Sequence, residues 1–231
     1  PVTVRAMGDD EIALVDIRFR RLLDHEREDV ARDLLRMTER FPDSADVWYE
    51  YAAAEFALYE GGLYGPDRVF RGLGNTGGVI VVTARKYSDE NAWRAANRAL
   101  EIDPDQPQAR RLKAEIMLAR MVRNGEFENA EGFEEVRAVL APLVAEPGKH
   151  PLAAALNYES FVEQGIAPPQ DAFDALGRAF IGNAGVEEVR YAYAVALARR
   201  GERELARTLL ESMLNNPDYR EAAQSALDLS S

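Results

Sequence analysis

The feature that most constrains this chain is a helix ending, "RALEIDPDQPQA" at 98–109. Ala92, Ala96 and Ala99 recur every three or four residues, so they share one helical face. Alanines in a row let a neighbouring helix approach closely, and Leu100 and Ile102 add apolar bulk at the seam. Asp103-Pro104 then stops the helix, because proline forbids continuation and restricts the residue before it. A similar object stands near the C-terminus: Tyr193-Ala194 and Leu197, then Gly201, then Ala206, Leu210 and Pro217. It reads as helix, glycine turn, helix, proline stop. Ala172, Leu176 and Ala179 make a third small/large/small face. From Ala172 to Ala206 is 34 residues, and from Pro147 to Pro217 is 70.

These spacings resemble the tetratricopeptide-repeat family, whose 34-residue unit runs aromatic, Leu-Gly, Tyr, Ala, Phe and Pro along a helical hairpin. Trp48 stands six residues after Pro42, in the first aromatic position, with Tyr51-Ala52 following. In the C-terminal match Arg190 occupies the aromatic position, Tyr193-Ala194 replaces Leu-Gly and Leu197 replaces Tyr. The resemblance covers nearly the whole chain, most specifically at "ALEIDP" and least around 61–87. It implies an all-α fold, a right-handed solenoid of about five helical hairpins plus a C-terminal capping helix in "DYREAAQSALDL". The alternative is a generic bundle of antiparallel helices. Periodicity and stop signals predict helices over 10–25, 28–41, 44–60, 88–103, 106–123, 127–146, 151–164, 170–182, 186–200, 203–215 and 218–229. Taken in pairs they form one repeat domain, 1–231. From Pro42 to Pro104 is 62 residues, so an insertion at 61–87 is expected inside the second hairpin.

With 47% hydrophobic and 29% charged residues among 231, the chain can bury a core. Its net charge of −12 argues against unaided binding to phosphate backbones. The absence of cysteine excludes disulfides and thiolate metal sites. Lys86, Lys113 and Lys149 are the only lysines among 28 basic residues, a bias expected of a GC-rich bacterial genome. The chain starts at Pro1 and shows no signal peptide or membrane-spanning run, so it is expected to be a piece of a longer bacterial protein, periplasmic or cytoplasmic, not inserted in a membrane.

Two irregular segments invite chemical readings. Gly72, Gly74 and Gly77 satisfy G-x-G-x-x-G, but nucleotide binding there needs a strand leading in and a helix opening at the third glycine. The lead-in is the charged "PDRVFR", and the β-branched "VIVVT" follows, so a loop or hairpin is the expectation. "GEFENAEGFEEV" at 125–136 lacks the alternating oxygens of a calcium loop. Gly125 reads as a turn, its glutamates as acids favoured at a helix N-terminus, and Phe133, Val136 and Leu140 as a buried face. "HERED" at 25–29 lacks the second histidine of a zinc motif, and His150 before Pro151 suits a helix start. No nucleophile has a motif around it, so no enzyme activity, metal or cofactor is expected.

What remains is a surface. In a repeat array the first helix of each hairpin turns one stripe toward a concave groove. The stripes expected are Tyr49, Ala53 and Phe56; Arg111, Glu115 and Leu118; Ala154, Tyr158 and Phe161; and Tyr191, Val195 and Arg199. A non-catalytic scaffold that binds protein or peptide in that groove is the leading expectation, with homo-oligomers possible. Alternatively the rings pack internally. A weaker resemblance, carried by "VTVRAMGDDEIALVDIRFR" (2–20) and "PLAAALNYESFVEQGIAPPQDA" (151–172), is to the C-terminal helical region of bacterial proteins whose N-terminal part is peptidase-like. It implies an accessory module of such an enzyme.

Overall fold

The computed structural model of the chain describes residues 7–22, 27–64, 89–217 and 219–229. The regular elements among the described residues are eleven helices: α1 Asp9–Leu22, α2 Arg27–Arg40, α3 Ala45–Tyr64, α4 Asp89–Ile102, α5 Pro107–Asn124, α6 Ala130–Val144, α7 Pro151–Glu163, α8 Gln170–Gly182, α9 Glu187–Arg199, α10 Arg203–Met213 and α11 Arg220–Leu229. Each of the eleven expected segments coincides with one of these helices over most of its described residues. The largest displacement is at the end of α3, which runs on to Tyr64, so 61–64 continue a helix instead of opening an insertion. His25, the glycines at 72, 74 and 77, and "VIVVT" lie outside the described residues.

The chain forms two compact units, residues 1–116 and 117–231. In the first, α1 packs on α2 and α3, α2 on α3, and α3 on α4. Ala92, Ala95, Ala96 and Ala99 of α4 are buried, so α4 contributes small side chains to its contacts. Leu100 and Ile102 are only half-buried, less than the seam-filling role expected of them. α3 is apolar on nearly every side, with Val47, Tyr51, Ala52, Ala54, Phe56 and Tyr59 all buried. A helix of that composition belongs inside a layer of other helices.

In the second unit α6 through α11 pack successively, each on the next, and α7 also packs on α9. Contacts between neighbours and next-but-one neighbours are what stacked helical hairpins make. Phe133, Val136 and Leu140 form the buried face of α6 as expected, joined by Leu143. Ala172, Leu176 and Ala179 of α8 pack with Ala154, Tyr158, Val189 and Ala196 of the flanking helices. Fully burying a leucine-sized side chain contributes roughly 1.5–3 kcal/mol, which is why these stripes set the packing.

The turns follow two rules. α5, α7 and α9 end at Gly125, Gly165 and Gly201, all at positive φ. In each case the glycine N–H bonds three residues back and the next N–H five back, as in Gly201 to Ala198 and Glu202 to Leu197. This double closure satisfies carbonyls that the helix end leaves open, and the left-handed backbone suits glycine. The second rule governs the openings of α3, α5, α9 and α11. Trp48, Arg110, Arg190 and Arg220 each bond by backbone N–H to the carbonyl four residues back. Each also donates a side-chain N–H to the carbonyl six back: Trp48 Nε1 to Pro42 at 2.9 Å, Arg110 to Pro104, Arg190 to Ala184 at 3.0 Å, and Arg220 to Leu214 at 2.9 Å. Arginine at three of these openings therefore makes the bond that Trp48 makes at the opening of α3.

A further set of bonds joins each opening to the one before it. Ser44 donates to Asp10 at 2.6 Å, Gln106 to Asp46 at 3.2 Å, and Asn216 to Glu187. The donor is the residue four before Trp48, Arg110 or Arg220, and the acceptor is a carboxylate in the first turn of the preceding odd-numbered helix. First-turn acids thus answer both the helix dipole and the next turn.

Candidate functional site

The first unit offers α3. Tyr49 and Ala53 are half-buried and Phe56 is buried, so the expected stripe is partly consumed by packing. Its more distinctive side chains are Glu50 and Glu55, only 4% and 6% exposed. Buried carboxylates are costly unless bonded, and both are bonded. Arg18 of α1 donates to Glu50 at 2.7 Å and lies 3.7 Å from Asp46. Asn91 of α4 donates to Glu55 at 3.3 Å. Tyr51, one helical turn before Glu55, has its phenol pushed up to about 12 by burial first and by the Glu55 carboxylate and their hydrogen bond second. Sequence reasoning passed over both glutamates. The available signal was their place within the otherwise apolar "VWYEYAAAEFALY", where no solvent-facing stripe accommodates them.

Near the α3 opening Asp10, Glu11, Asp43, Asp46 and Asp103 line an open depression. Four of its acids are answered by hydrogen bonds within the protein, Asp10 by Ser44, Asp46 by Gln106, Glu11 by the Gly8 N–H at 2.7 Å and Asp103 by the Asp105 N–H at 3.0 Å, and Asp43 lies 4.0 Å from Arg98. On α5, Arg111 and Glu115 pair with each other, so their charges cancel locally.

The second unit brings more of the expected residues together. α7 packs on α9, and Arg199 of α9 acts electrostatically on both the Tyr158 and the Tyr191 phenol. Burial raises the Tyr158 phenol, while Arg199 and Arg200 lower it. Burial also raises Tyr191, with Glu159 raising it further and Arg199 lowering it. Arg199 is thus the shared neighbour of both phenols, and its side chain is exposed. Tyr158 itself is 5% exposed and packs in the core with Leu176. Tyr191 is half-buried, its ring 6.1 Å from Tyr219. Leu118 and Ala154 are buried and Val195 half-buried.

Phe161, on α7 as well, lies under the Arg137 guanidinium, 4.4 Å from its ring centroid, and Arg137 donates to Gln164 at 3.0 Å. Burial lowers the Arg137 pKa. Arg200 repeats this arrangement, standing 4.3 Å over Phe173 while donating to Gln170 at 2.7 Å. Both arginines are oriented by a ring and an amide.

His150 occupies the N-cap position of α7 without a side-chain cap bond, and Pro151 follows it. At 125–136 Glu126 accepts from Asn124 at 2.9 Å and Asn129 at 3.1 Å, and those two amides hold its carboxyl below its usual range. Asn129 in turn caps α6 by accepting from the Gly132 N–H at 3.0 Å. Among the described residues no group of three acidic or imidazole side chains converges as metal ligands would. Nor is any helix there long and apolar enough to cross a membrane. No protein-family model matches the chain, and no curated protein is significantly similar to it.

Proposed function

We propose that the chain is a non-catalytic scaffold of tetratricopeptide-like hairpins, wound right-handed within each unit, that binds a protein or peptide segment. Counted over the sequence it has about five hairpins and a terminal helix. The binding face lies on the odd-numbered helices, and in the second unit it is the surface of α7 and α9 around Tyr191 and Arg199. The observation that supports this most is that one exposed guanidinium, Arg199, acts electrostatically on phenols of both packed helices, Tyr158 of α7 and Tyr191 of α9. Such a face suits a peptide backbone and polar side chains. The repeat assignment draws its support from the stacking order and from the turn rule shared by Trp48, Arg110, Arg190 and Arg220.

The test is selection of peptides from a random library on the immobilised chain, followed by titration of the best binders. Arg199→Ala and Tyr191→Ala are expected to weaken them at least about tenfold, a loss of about 1.4 kcal/mol. Unchanged affinity in both variants removes this face from the account. Tyr158→Ala is a poor probe, because truncating a buried aromatic costs about 3–5 kcal/mol of stability by itself.

A further inference from the structure

Glycine follows asparagine at one place in the sequence, Asn124–Gly125. Such a pair is chemically labile. Glycine has no side chain to obstruct its backbone nitrogen, which can attack the Asn124 side-chain carbonyl carbon. A C–N bond forms, the side-chain nitrogen leaves as ammonia, and a five-membered succinimide results. Water then opens the ring at either carbonyl, giving aspartate, or isoaspartate with the main chain rerouted through the side chain. Both residues are exposed, so water and hydroxide reach them.

Three features of the turn between α5 and α6 oppose the first step. Asn124 is the last residue of α5, and helical side chains lean back toward the N-terminus, away from the following nitrogen. Gly125, at φ 72, donates the N–H that the attack must deprotonate to Val122 at 3.2 Å, and the Glu126 N–H closes on Met121 at 2.9 Å. The Asn124 amide itself donates to the Glu126 carboxylate at 2.9 Å. Asn129 holds that carboxylate from its other oxygen at 3.1 Å and caps α6 through the Gly132 N–H at 3.0 Å. An anion accepting from the amide feeds electron density into it and makes its carbon a poorer electrophile.

We propose that Asn124–Gly125 is a deamidation site that this turn, pinned by Glu126, keeps closed, so that the reaction runs in proportion to local opening of the turn. The change is one-way. The product sets a carboxylate beside Glu126 where an amide donor stood, and like charges so close repel. The isoaspartyl form also adds a carbon to the main chain between residues 124 and 125, so the Gly125 and Glu126 N–H groups no longer both reach their carbonyls.

The test follows the full chain at mildly alkaline pH, folded and in guanidinium chloride. Trypsin cuts after Arg123 and Arg137, so one peptide carries the site; its fragment masses separate residue 124 from Asn129, and enzymatic methylation marks isoaspartate. The folded chain is expected to react at least about tenfold more slowly than the unfolded one. Glu126→Ala, shown by circular dichroism to be folded, is expected to react several times faster than the folded wild type, while the two react alike in guanidinium. Glu126→Gln, which keeps an acceptor without the charge, is expected to lie between them. No change at residue 124 even in guanidinium, equal rates folded and unfolded, or a folded Glu126→Ala no faster than the wild type overturns the proposal.

Discussion

The turn rule makes a sharp demand on residue 190. Arg190 Nε and Nη2 both reach the Ala184 carbonyl, at 3.0 and 2.5 Å. Arg190→Met keeps the apolar stem and deletes both donors. The carbonyl sits in an exposed turn, so water replaces part of the loss, and the net cost is about 1 kcal/mol, within the range for a single intramolecular bond. For a cooperative unit of about 100 residues this lowers Tm by roughly 4–8 °C. Arg190→Trp is the informative partner. Trp48 meets the same backbone with Nε1 at 2.9 Å from Pro42, so tryptophan at 190 is expected to recover most of what methionine loses. Urea denaturation of the three proteins followed by circular dichroism gives the comparison. If Arg190→Met matches the wild type, or Arg190→Trp falls as far as Arg190→Met, the upstream carbonyl needs no donor and the rule is wrong.

Tyr51 is expected to titrate near 12, seen as the absorbance difference between wild type and Tyr51→Phe. Its folded pKa exceeds the ordinary phenol value, so its contribution is complete below pH 10 and is lost as pH rises through 12. Leu176→Ala, at a fully buried site in the second unit, is expected to cost about 2–5 kcal/mol by cavity formation. Arg199→Ala, an exposed residue, is expected to stay within about 0.5 kcal/mol in the same urea assay.

The helices were legible because amphipathic period and stop residues are local properties. Phe133, Val136 and Leu140 could be placed on a buried face from spacing alone, and they are buried. Burial along α3 and α7 was less legible. Phe56 and Tyr158 sit at the same helical spacing as a surface stripe, but the neighbours that cover them arrive from other parts of the chain. Spacing shows which residues share a face and not what lies against it. Arg190 illustrates a different limit. By residue type it differs from Trp48, whereas by its bond to the carbonyl six residues back it matches it. Glu50 and Glu55 became intelligible only with Arg18 and Asn91 in place, 32 and 36 residues away.

The bonds that link successive helix openings also separate distance in space from distance along the chain. Ser44 reaches Asp10 across 34 residues, and Gln106 reaches Asp46 across 60. Both are the same kind of bond between the same two positions of neighbouring odd-numbered helices. The spacing of these openings is therefore metered by where a turn must land, not by how many residues precede it. Loop-closure entropy rises by only about 0.6 kcal/mol for each doubling of length. Material can thus be added between α3 and α4 at little thermodynamic cost, which makes that junction the natural place to lengthen the protein.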